Sequence, residues 1–188
     1  MGKLIFVTGG ARSGKSRFAE DLLAGREDVL YIATAVPFDD EMKERIRLHR
    51  ERRDPRWRTA EGYCGLGSII RSHARERGSL LLDCVTVMVT NLMLEKGDID
   101  WDTISQIDIA SMTKRVEDEV EELLDALSFV RGVAVVVSNE VGMGIVPANP
   151  LSRLFRDIAG RANQRIAGAA DEVYLTVSGI PLKIKGER

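Results

Sequence analysis

Gly9, Gly10, Ala11, Arg12, Ser13, Gly14, Lys15 and Ser16 match G-x-x-x-x-G-K-[ST] at every fixed position. Glycines at this spacing let the backbone curl until successive N–H groups converge. A helix opening at the end of the loop adds positive potential where phosphates would sit. In such a loop Lys15 bridges the β- and γ-phosphates, and the Ser16 hydroxyl is offered to Mg²⁺. The metal also needs a carboxylate, usually from an acid that ends a neighbouring apolar strand. Asp83, closing Leu80-Leu81-Leu82, fits that requirement. The other reading of Asp83 is an ordinary strand-end or helix-capping aspartate before Thr86.

A second group of residues has chemical potential of a different kind. Lys43, Arg45, Arg47, Arg50, Arg52, Arg53, Arg56 and Arg58 stand against only Glu44, Glu51 and Asp54. His49 sits in their midst. Three readings compete for this local polycation: a solvated helix face, a nucleic-acid patch, or a cradle for a nucleoside triphosphate. Neighbouring arginines depress a histidine pKa by like-charge repulsion and keep the imidazole neutral, the state that can attack phosphorus. They would also stabilise charge on a transferring group. Spacing alone leaves His49 open between a structural and a catalytic role.

The elements that must carry these residues alternate along the chain. Short aliphatic runs at Leu4 to Val7, Val29 to Ala33, Leu80 to Asp83, Val133 to Val137 and Val173 to Val177 read as strands covered on both faces. Trp57 to Ala60 and Leu182 to Lys185 are weaker candidates. Between them helices are expected from Gly14 to about Ala24, Asp40 to Arg53, Leu66 to Arg77 and Asp108 to Arg131, with Gly132 as the stop of the last. Glu117, Asp118, Glu119, Glu121, Glu122 and Asp125 read as the solvated face of that long helix. Asn149-Pro150 reads as cap and first residue of a final helix. This alternation predicts an α/β fold with a mainly parallel sheet. Ligands of such sheets gather beyond the carboxyl ends of the strands, where Thr34, Asp83 and Glu140 fall. Glu140 is a candidate for positioning substrate or metal, or equally a capping carboxylate.

Composition narrows the classes. A chain of 188 residues suits one domain spanning 1–188, at roughly 100 to 200 residues per domain. With 44% hydrophobic and 30% charged residues it should bury a real core. A net charge of −2 argues against a nucleic-acid binder, and no apolar run approaches the ~20 residues of a membrane span. Only four apolar residues precede Thr8, too few for a signal-peptide core, and Cys64 and Cys84 lack metal or disulfide spacing, so a reducing cytoplasm is expected.

Beyond these general signals, specific stretches carry a family resemblance. They are TGGARSGKS at residues 8–16, YIAT at 31–34, Asp40-Glu41-Met42 followed by Arg45-Ile46 and His49-Arg50, and Trp57-Arg58-Thr59-Ala60-Glu61. Further along come Leu81-Leu82-Asp83-Cys84, NEVGMGIVP at 139–147, FRDIAG at 155–160 and Val177-Ser178-Gly179-Ile180. The sequence resembles the bifunctional adenosylcobinamide kinase / adenosylcobinamide-phosphate guanylyltransferases of cobalamin biosynthesis. That resemblance implies a single-domain, RecA-like P-loop NTPase fold. It implies two reactions: phosphorylation of adenosylcobinamide with ATP or GTP, then transfer of GMP from GTP onto adenosylcobinamide phosphate through a guanylyl-histidine. It places the histidine role on His49. Nucleotide contacts fall on Gly9 to Ser16, on Thr34, Ala35 and Val36, on Arg50, Glu51, Arg52 and Arg53, and on Glu61 and Asp83, with Mg²⁺ at Ser16 and Asp83. It also implies a homotrimer. The rival expectation is a monofunctional small-molecule P-loop kinase, which would release no pyrophosphate from GTP.

Overall fold

Aliphatic runs bounded by glycine or acidic residues form a seven-stranded sheet. The computed structural model describes all residues except 1, 37–39, 41–42, 45–46, 48–49, 52, 74–77, 96, 98 and 188. The strands are β1 (Lys3–Gly9), β2 (Val29–Ala33), β3 (Arg58–Glu61), β4 (Ser79–Asp83), β5 (Val133–Asn139), β6 (Glu172–Val177) and β7 (Ile180–Lys185). Their spatial order is β3-β2-β4-β5-β1-β6-β7. All neighbours run parallel except the β6–β7 hairpin. All five expected strands form, and the two weaker candidates are real edge strands.

Side chains alternate between two cores, as the two-residue period of a strand requires. Phe6, Leu30, Leu80, Leu82 and Val136 face one core; Ile5, Val7, Tyr31, Leu81, Val135 and Val137 face the other. Both faces are covered, which is why the strand sequences are continuous in apolar residues rather than alternating. The helices that cover them are α1 (Lys15–Asp21), α2 (Leu66–His73), α3 (Val85–Leu94), α4 (Gln106–Leu127) and α5 (Pro150–Ala169). Residues 40, 43, 44, 47, 50 and 51 are also helical; the remainder of the helix expected from Asp40 to Arg53 includes positions outside the described residues.

Three sequence expectations require correction. Helix α3 has no counterpart in the sequence reading. Its residues VTVMVTNLML are apolar on every side, so they show no 3.6-residue stripe, and seven of the ten are buried. Helix α4 ends at Leu127, not Arg131, and Gly132 is not its stop. Instead Gly132 lets two chain segments touch: its N–H donates to the Gly78 carbonyl, and a Cβ there would collide with that oxygen. Glu119 is not on a solvated face. It is buried, and its carboxylate accepts from Gly65 N at 3.0 Å and Leu66 N at 2.9 Å, capping the start of α2. The rest of that face carries exposed ion pairs from Asp118 to Lys114, Glu121 to Arg165 and Glu122 to Arg71. Helix α5 opens as expected, with the Asn149 side chain accepting from Ser152 N and Pro150 in the first turn.

Candidate active site

Strand β1 lies inside the sheet between β5 and β6 and delivers Gly9 to the carboxyl edge. A Cβ on Gly9 would strike the Thr176 carbonyl, so no larger residue fits where the loop departs. The loop closes through Ser13 N to Gly10 O at 3.3 Å, and α1 begins with Phe18 N to Gly14 O at 3.0 Å. Gly14 has φ +91, and a Cβ on it would stand 3.0 Å from Gly179 Cα, so conformation and space both require glycine. The β6–β7 turn approaches that closely because Gly179 N donates to Ser13 O at 2.8 Å. The hairpin tip, part of the Val177 to Ile180 motif, therefore braces the loop. Lys15 is buried and folds back so that Nζ donates to Gly10 O at 3.1 Å. Gly10, Ala11, Arg12 and Gly14 face solvent and Ser16 is half-buried. The Ser13 hydroxyl is solvent-excluded and has no partner within the protein.

Asp83 lies at the same edge, paired with Val137 of β5 one strand away from the loop. Its Oδ2 accepts from the Tyr31 hydroxyl at 3.3 Å. Burial, and then the Asp83 charge, push the Tyr31 phenol far above its ordinary value, which keeps it a donor at all working pH. The Arg53 guanidinium stacks over the Tyr31 ring with Cζ 3.7 Å from the centroid, while its Nε and Nη1 are excluded from water without an acceptor among the described residues.

Beside Asp83 the strand ends are knitted together by polar groups. The Asp83–Cys84 peptide is cis. Thr34 donates its hydroxyl to Cys84 O at 2.8 Å and accepts from Cys84 N at 2.9 Å, and its own N–H bonds Asp83 O at 3.2 Å. Asn91 on α3 donates to Thr34 O at 2.8 Å. Thr34 is wholly buried, so its hydroxyl organises the edge; Ala35 and Val36 continue from it half-buried. Burial, with Asp83 nearby, pushes the Cys84 thiol up to about 11, leaving it a packed, unreactive neighbour of Thr86. On the β5 side Asn139 Nδ2 donates to Thr86 Oγ1 at 2.7 Å and Asn163 of α5 donates to Asn139 O at 3.0 Å. Glu140 has its N–H on Gly9 O and its carboxylate on Gly142 N at 2.7 Å, the geometry of a turn cap.

The arginine cluster is largely ion-paired. Arg50 pairs with Glu61, Arg47 with Glu44 and Glu51, Lys43 with Asp40, and Arg56 with Asp54 and Glu27. Arg50 and Glu61 thus meet, and Arg53 reaches Asp83 through Tyr31; His49 and Arg52 lie outside the described residues. The other histidine, His73, is engaged by Ile69 O at 2.8 Å in the last turn of α2. Sequence reasoning did not find Tyr31, Asn91 or Asn163. Tyr31 and Asn91 left a signal, a polar side chain within a largely apolar buried element, and Asn163 sits on the buried stripe of an amphipathic helix; at such positions a partner is obligatory.

A strand, a glycine-rich lysine-serine loop and a helix at the carboxyl edge of a mainly parallel sheet define a P-loop nucleotide-binding domain. The chain belongs to the cobinamide kinase / cobinamide phosphate guanyltransferase family, whose profile matches residues 5–184. It is 50% identical to the bifunctional adenosylcobalamin biosynthesis protein CobU of Salmonella typhimurium over 97% of this chain and 99% of that protein. It is 49% identical to the CobU of Escherichia coli, over 97% and 99%, and 42% identical to the CobP of Pseudomonas aeruginosa, over 96% of each. Among solved structures, a KaiC-like protein of Pyrococcus horikoshii is similar at TM-score 0.47 and 8% identity, over 92% of this chain and 70% of that one. The strand order rather than that distant likeness defines the fold.

Proposed function

We propose that this protein phosphorylates the hydroxyl of adenosylcobinamide with ATP or GTP and then transfers GMP from GTP onto the resulting phosphate. The carrying observation is the braced loop from Gly9 to Ser16 sharing one sheet edge with Asp83. In the kinase step the acceptor hydroxyl oxygen attacks the γ-phosphorus, the bond to the β-phosphate oxygen breaks and NDP leaves, while the hydroxyl proton passes to solvent. Loop N–H groups and Lys15 hold the phosphates, and Lys15 would exchange its Gly10 carbonyl for a phosphate oxygen. The Ser13 hydroxyl and the Arg53 Nε and Nη1, buried without partners among the described residues, are groups that a nucleotide would satisfy.

Mg²⁺ is the expected cofactor. It favours oxygen donors and is usually held by one or two carboxylates together with substrate phosphates, a pattern that Ser16 and Asp83 suit. Among the described residues no three His, Cys, Asp or Glu side chains form a protein-only cage. When bound, the ion would neutralise charge on the β- and γ-phosphates. Tyr31 orients the Asp83 carboxylate for that role.

In the transfer step His49 attacks the α-phosphorus of GTP, forming an N–P bond as pyrophosphate departs. The acceptor phosphate oxygen then attacks the same phosphorus, and breaking the N–P bond returns free histidine and adenosylcobinamide-GDP. Arg50, Glu51, Arg52, Arg53 and Glu61 are proposed nucleotide contacts; the Arg50–Glu61 and Arg47–Glu51 pairs supply charges that a nucleotide could recruit by exchange. The family resemblance supports a homotrimer in the cytoplasm without nucleic-acid partners. The apolar stripe of α4 is spent inside the core, and one exposed apolar row available for such contact is Ile180, Leu182 and Ile184 on β7. No helix among the described residues is long and apolar enough to cross a membrane.

The test is incubation with α-³²P-GTP and Mg²⁺, then denaturing electrophoresis. An acid-labile, alkali-stable label that is lost in His49→Ala and discharged by adenosylcobinamide phosphate is expected. No label with intact GTP binding leaves the monofunctional kinase.

A further inference from the structure

The segment from Asn139 to Ala148 and α5 hold two of the family stretches, NEVGMGIVP and FRDIAG, which apart from Asn139 and Glu140 take no part in the nucleotide site described above. Together they form an open hollow of about 410 Å³ lined by Gly142, Arg156, Asp157, Gly160, Arg161 and Gln164. Its position follows from three levels along the sheet. Asp171 N bonds Leu4 O, so the foot of α5 lies at the start of β1. Asn163 bonds Asn139 O, and Asn139 is the register partner of Gly9, so Asn163 lies level with the mouth of the phosphate loop. The residues of α5 before Asn163 therefore project beyond the carboxyl edge. At 1.5 Å per residue Arg161 stands about 3 Å and Arg156 about 10 Å above that level. The hollow thus lies at the carboxyl end of the sheet, the end that carries the phosphate loop.

The walls are built rather than incidental. Glu140 ties the segment to Gly9 through its N–H, and its carboxylate closes the turn on Gly142 N. At the far end Arg153 donates to Pro147 O at 3.0 Å and to Ala148 O, fixing the segment to the helix. The two arginines that face the hollow are differently free. Arg156 is mostly buried, and its only ion pair among the described residues is a loose 3.5 Å contact with its chain neighbour Asp157. Arg161 is exposed, with no hydrogen bond or ion pair to any of the described residues. Elsewhere in the molecule Arg47, Arg50, Arg56, Arg71, Arg115 and Arg165 all have carboxylates. Beside the charged hollow Met143, Ile145 and Val146 are exposed at 78%, 96% and 61%.

We infer that this hollow binds the acceptor, with Arg156 and Arg161 on its phosphate monoester and the Met143 to Val146 segment against its apolar ring. The inference rests on the two-step reading above and adds to it the surface that holds the second substrate. A corrin with amide arms and a dianionic phosphate is amphipathic in the same way as the hollow and its rim. Planar guanidinium forks bind such a dianion bidentately, and Gln164 and Asp157 offer partners to carboxamides.

The test compares wild type with Arg161→Gln and with Arg156→Gln/Arg161→Gln, after confirming equal melting temperatures. Equilibrium dialysis with adenosylcobinamide phosphate, read by corrin absorbance, should show affinity falling about tenfold or more in the double variant, and partly restored in Arg161→Lys. Unphosphorylated adenosylcobinamide should lose much less. Labelling from α-³²P-GTP measures the half-reaction in which the acceptor takes no part, and separates the sources of phosphate. If the variants lose labelling instead of acceptor affinity, the arginines serve the nucleotide and the assignment falls. Unchanged acceptor affinity in a folded double variant also overturns it. If Arg161→Gln alone folds, that single variant decides. Absence of label in wild type would sink the two-step reading instead, while the dialysis result still judges the hollow.

Discussion

The phosphate loop and the arginine-bearing segment meet at one sheet edge, yet the loop and the strand ends beside it are held by hydrogen bonds to main-chain groups, and the arginine segment by exposed ion pairs. Gly179 N on Ser13 O, Thr34 on Cys84 and Asn163 on Asn139 are internal contacts between elements far apart in sequence. Arg47 with Glu44 and Glu51, and Arg50 with Glu61, have side chains more than half exposed. Breaking a buried hydrogen bond by removing one partner costs about 1–3 kcal/mol. An exposed ion pair is worth about 0–1 kcal/mol and is screened by salt. The comparison teaches a division of labour. The loop is preorganised for phosphates, whereas the arginine segment is held weakly enough for its carboxylate partners to be exchanged for a nucleotide.

The largest effect should come from the loop itself. Lys15→Ala removes the cation while leaving the bracing contacts of Ser13 and Gly14 in place, so the fold should persist and phosphoryl transfer should fall about 10²- to 10³-fold. Steady-state kinase assays beside a circular-dichroism melt check both halves. A large fall in melting temperature would break the comparison, because the loop would then owe its shape to Lys15.

Next in size is the strand-end network. Thr34→Val keeps volume but strands the Cys84 N–H and removes a donor from Cys84 O, both inside the protein. The expected destabilisation is about 1–3 kcal/mol, chiefly from the stranded Cys84 N–H, since the Cys84 carbonyl keeps the Met88 N–H at 3.1 Å. Urea unfolding at neutral pH reads it. A loss below about 1 kcal/mol would mean that water replaces the hydroxyl, and that the edge is less sealed than Thr34's burial indicates.

How much of this was legible in the sequence differs between the two regions for the same physical reason. The loop is local: eight consecutive residues state its shape, and Asn149-Pro150 states the start of α5 equally locally. The strands were legible because burial on both faces demands aliphatic runs. Helix α3 was not, since burial of seven of its ten residues erased the one-sided periodicity by which helices are recognised. Glu119 was misread because five neighbouring acids on α4 do lie toward solvent or at the surface. Only the approach of Gly65 and Leu66 from another element shows that this one is a cap. Tyr31, Arg53 and Asp83 come from three segments, and no spacing rule joins them.

The smallest expected effect sharpens the comparison from the arginine side. Arg47→Ala removes the partner of both Glu44 and Glu51 from an exposed helix face. These i,i+3 and i,i+4 pairs are each worth about 0.2–0.5 kcal/mol, so the stability change should stay under about 1 kcal/mol and shrink further in salt. Chemical denaturation at low and at 0.5 M sodium chloride measures it. Because Glu51 is then released from Arg47, GTP binding should change more than stability does. A stability loss comparable with that of Thr34→Val would show that the segment is anchored as firmly as the loop, and would remove the reason to expect its carboxylates to give way to a nucleotide.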